Sequence, residues 1–269
     1  MRPSTMNDKE PMPAESQATG SDSVEFRIAC LEEAQQFDER MRTFLRDGYQ
    51  GGACHWELCD AWRVSEGRED HARVFAALLD IRLTFASMHM DMHGMGAIWN
   101  DKFSKGRLEG GSILESEEKF FGKMRIHHHS TGFILRCRAF WDKWMGILVL
   151  LLHPREYEKF LGAKSRRRYF ERLTVEQGLP INADAASDIC KHVSALDDRF
   201  RTAEAHGAGV LRKWTLSMMS LGDNDSVELI RFWNVANGAM LELGRLLNAR
   251  RGKTNESRSE RDTTDMGAE

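Results

Sequence analysis

The chain has no stretch that reads as a membrane span. Its longest apolar run, Trp144–Leu152, is nine residues, where a spanning helix needs roughly 20, so a buried core segment is expected there. The N-terminus carries Pro, Ser and acidic residues where a signal peptide needs an apolar run, and a cytoplasmic location is the expectation. Cysteine is scarce and odd in number: Cys30, Cys54, Cys59, Cys137 and Cys190 are five, with no CxxC pair. That speaks against a disulfide framework or zinc ribbon and for buried thiols in a reducing compartment. Prolines number only five, β-branched residues are sparse and no segment alternates with period two, so a sheet has no signature here. A net charge of −3 argues against general coating of polyanions and leaves room for a local basic patch.

What is present favours helix. Leu, Met, Ala, Glu and Arg are common, and 269 residues with 41% hydrophobic content suffice for a real core in one large domain or two modest ones. Apolar residues step by three or four along Ile28, Leu31, Ala34, Phe37, Met41 and Phe44, and again from Val74 through Leu78, Ile81, Phe85, Met88, Met92 and Met95. A short helix is predicted over 55–63. Further helices are predicted over 114–124 and from about Ser130 to Leu152, and a basic helix or helix pair over 157–173. Ala185, Ile189, Val193, Leu196 and Phe200 form another stripe, interrupted by Gly207 and Gly209. A helix through Leu211, Trp214, Met218 and Leu221 follows, and Asp225 with Glu228 has capping-box spacing at the start of the last. The expectation is an all-α helical bundle. Residues 1–20 and 251–269 are expected to be disordered tails. Between them, 21–112 is a helical region of unknown role and 113–250 a helical domain, with a boundary in the 101–112 loop or one shared bundle.

One short segment suggests chemistry. Arg201-Thr202-Ala203-Glu204-Ala205-His206 puts an Arg and a His five positions apart where one amphipathic helix gives way to glycine. In a straight helix such residues lie about 140° apart, so the pair converges only if the helix breaks between or just after them. Arg199 is the geometric rival, on the face of His206 but two turns away. The segment is similar to the R-x4-6-H motif of HEPN (higher eukaryote and prokaryote nucleotide-binding) domains, and the resemblance covers roughly residues 115–250. It implies an all-α bundle, HEPN-like in the C-terminal half, and a metal-independent endoribonuclease, a hydrolase without cofactor. It further implies a homodimer with two motifs in one cleft, and a place in toxin–antitoxin or defence systems with an antitoxin protein as a possible partner. Arg201 and His206 match the motif residue by residue; Thr202 replaces the Asn, Asp or His more usual after the Arg. The chemistry is consistent: His near pH 7 serves as base or acid, and a guanidinium can place two parallel hydrogen bonds on phosphorane oxygens.

Other candidates are weaker. His89 and His93 share a helix face and have metal-ligand spacing, but Met90 stands where HExxH needs Glu and no third ligand lies at a telling distance, so packing at the bundle edge is expected. His127, His128 and His129 are adjacent and cannot all face one ion; helix-entry polar residues are expected. No Glu-x-x-His pair supports a di-iron bundle. Between Pro154 and Arg172 there are seven Lys or Arg against three Glu, with Tyr157, Tyr169 and Phe170 interleaved. Arg166, Arg167 and Arg168, together with Arg212 and Lys213 after the motif, are candidate RNA-binding residues; a solvated helix face is the other reading. The alternative to RNA cleavage is a non-catalytic helical module that binds protein or nucleic acid.

Overall fold

The computed structural model describes residues 32–33, 35–40, 58–65, 68–98, 117–177, 183–202 and 223–265. Among them every regular element is helical, as the composition implies: α1 (Leu58–Ser65), α2 (His71–Ile98), α3 (Glu117–Leu152), a 3-10 turn (Pro154–Glu156), α4 (Tyr157–Leu161), α5 (Arg166–Gln177), α6 (Ala183–Leu196), a π turn (Asp197–Arg201) and α7 (Asp223–Asp265). Residues 32–33 and 35–40 are helical as well. No helix among the described residues is long and apolar enough to cross a membrane. The predicted N-terminal tail, the 101–112 loop and the helix through Leu211 and Trp214 lie outside the described residues.

Three expectations change. The helices predicted over 114–124 and 130–152 are one helix, α3, of 36 residues. Ser130 does not cap a new helix: its hydroxyl donates to the carbonyls of Ile126 (2.8 Å) and His127 (3.1 Å) behind it, a bond pattern of an unbroken helix interior. His127, His128 and His129 therefore sit in mid-helix, not at an entry. The basic segment after Pro154 is a pair, with Gly162 closing α4 and the N–H of Arg168 donating to Ser165 Oγ (3.4 Å) at the start of α5. Last, α7 continues to Asp265, past Arg250, where disorder was expected. Once nucleated, a helix gains one bond per added residue, and Arg, Lys and Glu extend it well without the apolar stripe that pattern reading relies on.

Helices α2 and α3 run antiparallel, because Asp91 meets His129 and Arg136 while Asp80, nearer the start of α2, meets Lys143 further along α3. The α2 stripe of Val74, Leu78, Ile81, Phe85 and Met88 is buried, and so are Phe133, Cys137, Phe140, Trp141, Trp144, Leu148 and Leu151 of α3. One core extends from Ala61 to Leu247, so residues on both sides of the 101–112 segment share it. Helix α7 closes it with Phe232, Trp233, Met240 and Leu247, whereas Ile230 in the same periodic run is 50% exposed. Trp233 stacks on Phe85 at 4.9 Å. The Trp144 indole N–H donates to the Ala239 carbonyl at 3.0 Å, which satisfies the one polar atom of a side chain only 2% exposed. Cys137 and Cys190 are buried free thiols; burial pushes them up to about 12 and about 11 respectively.

One ion pair lies inside the core. Arg82 of α2 meets Asp38 at 3.0 Å, with side chains 2% and 1% exposed. Removing one partner leaves a buried charge uncompensated, which costs about 3–5 kcal/mol. Asp38→Ala should lower the unfolding free energy by roughly that amount in urea titration. Replacing both residues with apolar ones of matching volume should recover most of the loss, and an Asp38→Ala variant as stable as the wild type would refute the pairing.

Candidate functional site

The α6 stripe carries through Val193 and Leu196 to Phe200, all buried, and Phe200 meets Phe232 of α7 edge-on at 5.9 Å. At Asp197 the α geometry gives way to the π turn, and the Thr202 N–H donates to the Asp197 carbonyl five residues back. The break expected at Gly207 and Gly209 thus has a counterpart before the motif begins. Turns of this kind recur at functional sites. Arg201 ends the turn with its side chain 49% exposed, and its Nη1 donates to Asp197 Oδ1 at 3.3 Å. The other carboxylate oxygen of Asp197 accepts from Arg138 Nε of α3 at 3.0 Å, and Arg138 Nη1 pairs with Asp142 Oδ1 at 2.6 Å. Burial opposes the Arg138 charge, but Asp142 and Asp197 outweigh it and hold the guanidinium above its ordinary value. The result is a row of alternating charges, Asp142, Arg138, Asp197 and Arg201, leading from α3 to the motif.

Arg199 faces elsewhere. It approaches Glu228 of α7 at 3.9 Å, and its guanidinium lies 5.7 Å from the Phe200 ring centre. The two arginines therefore have different helices for partners. His206, Arg212 and Lys213 lie outside the described residues, and with them the distance from Arg201 to His206.

Of the candidate RNA-binding residues on α5, Arg168 is exposed while Arg166 and Arg167 are half-buried. Arg166 lies 6.0 Å from the Phe160 ring centre and donates weakly to the Leu161 carbonyl at 3.5 Å. The aromatic residues between them are not stacking platforms, contrary to expectation. Phe170 is 0% exposed, because its helical step to Leu173 turns both into the core. Tyr169 donates its hydroxyl to Glu156 at 2.6 Å, and the Arg172 guanidinium covers its ring at 4.7 Å. Tyr157 borders a half-open groove of about 540 Å³ lined also by Arg73, Asp80, Asp142, Lys143 and Arg166. Gly146 gives it depth, since a Cβ there would come within 3.3 Å of Phe160. Two of its cations already have carboxylate partners: Arg73 on Glu158 and Lys143 on Asp80, each at 2.7 Å. Asp142 belongs both to this groove and to the charge row that ends at Arg201.

The histidines separate. His89 is buried and burial, then the neighbouring His93, lowers its proton affinity; both border a pocket of about 400 Å³ beside Trp233 of α7. Asp91 points to α3 instead, with one oxygen on Arg136 and the other 3.3 Å from His129 Nδ1. The His129 ring lies so close to the Gly94 backbone that a Cβ there would stand 2.6 Å from its Nε2. Among the described residues no three His, Cys, Asp or Glu side chains gather as a metal site.

No protein family, curated protein or solved structure matches this chain.

His192 sits behind the π turn, its ring 5.8 Å from Trp141 and 4.5 Å from Phe232. Burial first, and Arg231 second, push its pKa from 6.5 down to about 4. The native state thus resists protonation that the unfolded chain accepts, so this contribution is complete above about 6.5 and is lost as pH falls toward about 4. His192→Phe keeps a ring in place and removes the titration. Urea unfolding of this variant between those two pH values should show a shallower loss of stability than the wild type; an unchanged slope would mean that His192 titrates normally.

Proposed function

We propose that the chain is a metal-independent endoribonuclease of HEPN type, acting as a homodimer, with His206 as acid or base and Arg201 on the scissile phosphate. The setting of Arg201 carries this reading: a half-exposed guanidinium at the end of a π turn, with one N–H held by Asp197. A guanidinium has five N–H donors, and one fixed by a single edge can offer others to the oxygens of a phosphorane. In the reaction the 2′-hydroxyl loses its proton to a base and attacks phosphorus. The bond to the 5′-oxygen breaks and that oxygen takes a proton, leaving a 2′,3′-cyclic phosphate and a 5′-hydroxyl. One Arg and one His are few groups for this, and a two-fold partner supplies a second of each. Arg166 and Arg168, with the groove beside Tyr157, add positive charge for the rest of the strand. A role against an antitoxin or in defence follows from the same reading.

The test is cleavage of single-stranded RNA by the purified full chain. His206→Ala should abolish it, Arg201→Ala should nearly do so, and Arg199→Ala should cut like the wild type. Helicity and oligomeric state should be unchanged in all three, and EDTA should leave the rate intact. A dead Arg199→Ala with an active Arg201→Ala would shift the motif to the other arginine. Three variants indistinguishable from the wild type would leave a helical module that binds protein or nucleic acid without cutting.

A further inference from the structure

We infer that Asp197 is a positioning residue for Arg201, and that Arg138 with Asp142 holds Asp197 in place from α3; the inference rests on the proposed cleavage reaction. An arginine side chain is long and loses much rotamer freedom when it is fixed. If that ordering waits for the substrate, it is lost from transition-state stabilisation; if it is built into the resting protein, it is not. Asp197 supplies such an anchor. Both carboxylate oxygens are engaged, one by Arg201 at 3.3 Å and one by Arg138 at 3.0 Å.

An isolated i,i+4 pair on a helix surface would do little, because solvent screening and side-chain entropy consume its gain. This one is not isolated. Asp197 and Arg138 are 19% and 18% exposed, and Arg138 is braced again by Asp142 at 2.6 Å. The backbone beneath is fixed as well, since Phe200 in the same turn is 0% exposed. The row also balances in sign. Asp197 alone would repel a phosphate beside Arg201, and the Arg138 charge behind it offsets that repulsion. Arg199 has nothing comparable: its carboxylate, Glu228, stands 3.9 Å away and is shared at the same distance with Arg231. Arg138, Asp142 and Asp197 thus separate the two arginines that sequence spacing leaves as rivals.

Two measurements on the full chain test this. The first is single-turnover RNA cleavage by Asp197→Ala, Arg138→Gln, Arg201→Ala and the double variant Asp197→Ala/Arg201→Ala. Asp197→Ala should lower the rate up to about 100-fold with little change in KM, Arg138→Gln somewhat less, and Asp197→Glu should restore part of the loss. In the Arg201→Ala background the loss of Asp197 should cost nothing further, since it acts through the arginine. A merely structural Asp197 would instead add its loss to that of Arg201→Ala and lower Tm. The second measurement is NMR of the Arg201 guanidinium, whose rotation about Cζ–Nε should be slow in the wild type and fast in Asp197→Ala and Arg138→Gln. A dead Arg201→Ala beside a fully active Asp197→Ala overturns the positioning role and leaves the cleavage reading standing. If Arg201→Ala cuts as the wild type does, or no protein cuts, the cleavage reading falls. The guanidinium rotation then decides: slow rotation released by Asp197→Ala upholds the anchor, and equal rotation in both proteins overturns it.

Discussion

A helix that is apolar on every side has to be enclosed on every side. From Trp144 to Leu151 each residue of α3 is buried, and this constraint organises the rest. Helices α2, α4, α5, α6 and α7 all pack on α3. Polar side chains of α3 appear only where the enclosure opens, before Trp144: Arg138 and Asp142 toward the π turn, Lys143 toward the groove. The charged row that reaches Arg201 starts at the edge of the most apolar segment in the chain, where partial burial makes a carboxylate–guanidinium contact less screened than on an open surface.

Apolar stripes decide which helix faces meet, but dispersion and burial are non-directional and tolerate sliding. The α2–α3 pair is pinned by polar contacts at separate heights: Asp80 with Lys143, and Asp91 with Arg136 and His129. Gly94 and Gly132 are what let the latter approach, since a Cβ at Gly132 would stand 2.6 Å from Arg136. This seam accounts for Asp91 and for one histidine of the 127–129 run as packing residues.

The all-α class, the α2 stripe, the buried end of α3 and the α6 stripe through Phe200 were legible from periodicity, because each has one apolar face with a step of three or four. The continuity of α3 was not: a run of three histidines and a serine looks like a helix entry, and only the Ser130 bonds back to Ile126 and His127 show otherwise. Phe170 looked like a base-stacking residue because composition does not say which face of a basic helix it occupies. At the site, Arg201 stood out by its spacing to His206, and Asp197 lies at i−4, a spacing open to inspection. Its second contact, Arg138, is 59 positions upstream, and such a pairing is a tertiary fact with no local signal. The π turn had none either, since Asp, Arg and Phe are all compatible with an ordinary α-helix.

That turn gives the segment a property beyond its side chains. A π turn holds one more residue than an α turn, so it acts as a phase shift in the helix. Deleting a single residue between Asp197 and Arg201 would let the backbone relax to α geometry and swing everything downstream by about 100°. Phe200 could then stay in the core only if Arg201 left the Arg138 side. Substitutions can be absorbed here one side chain at a time, whereas a change of length cannot. The segment is therefore a place where the count of residues, as much as their identity, decides which way Arg201 faces.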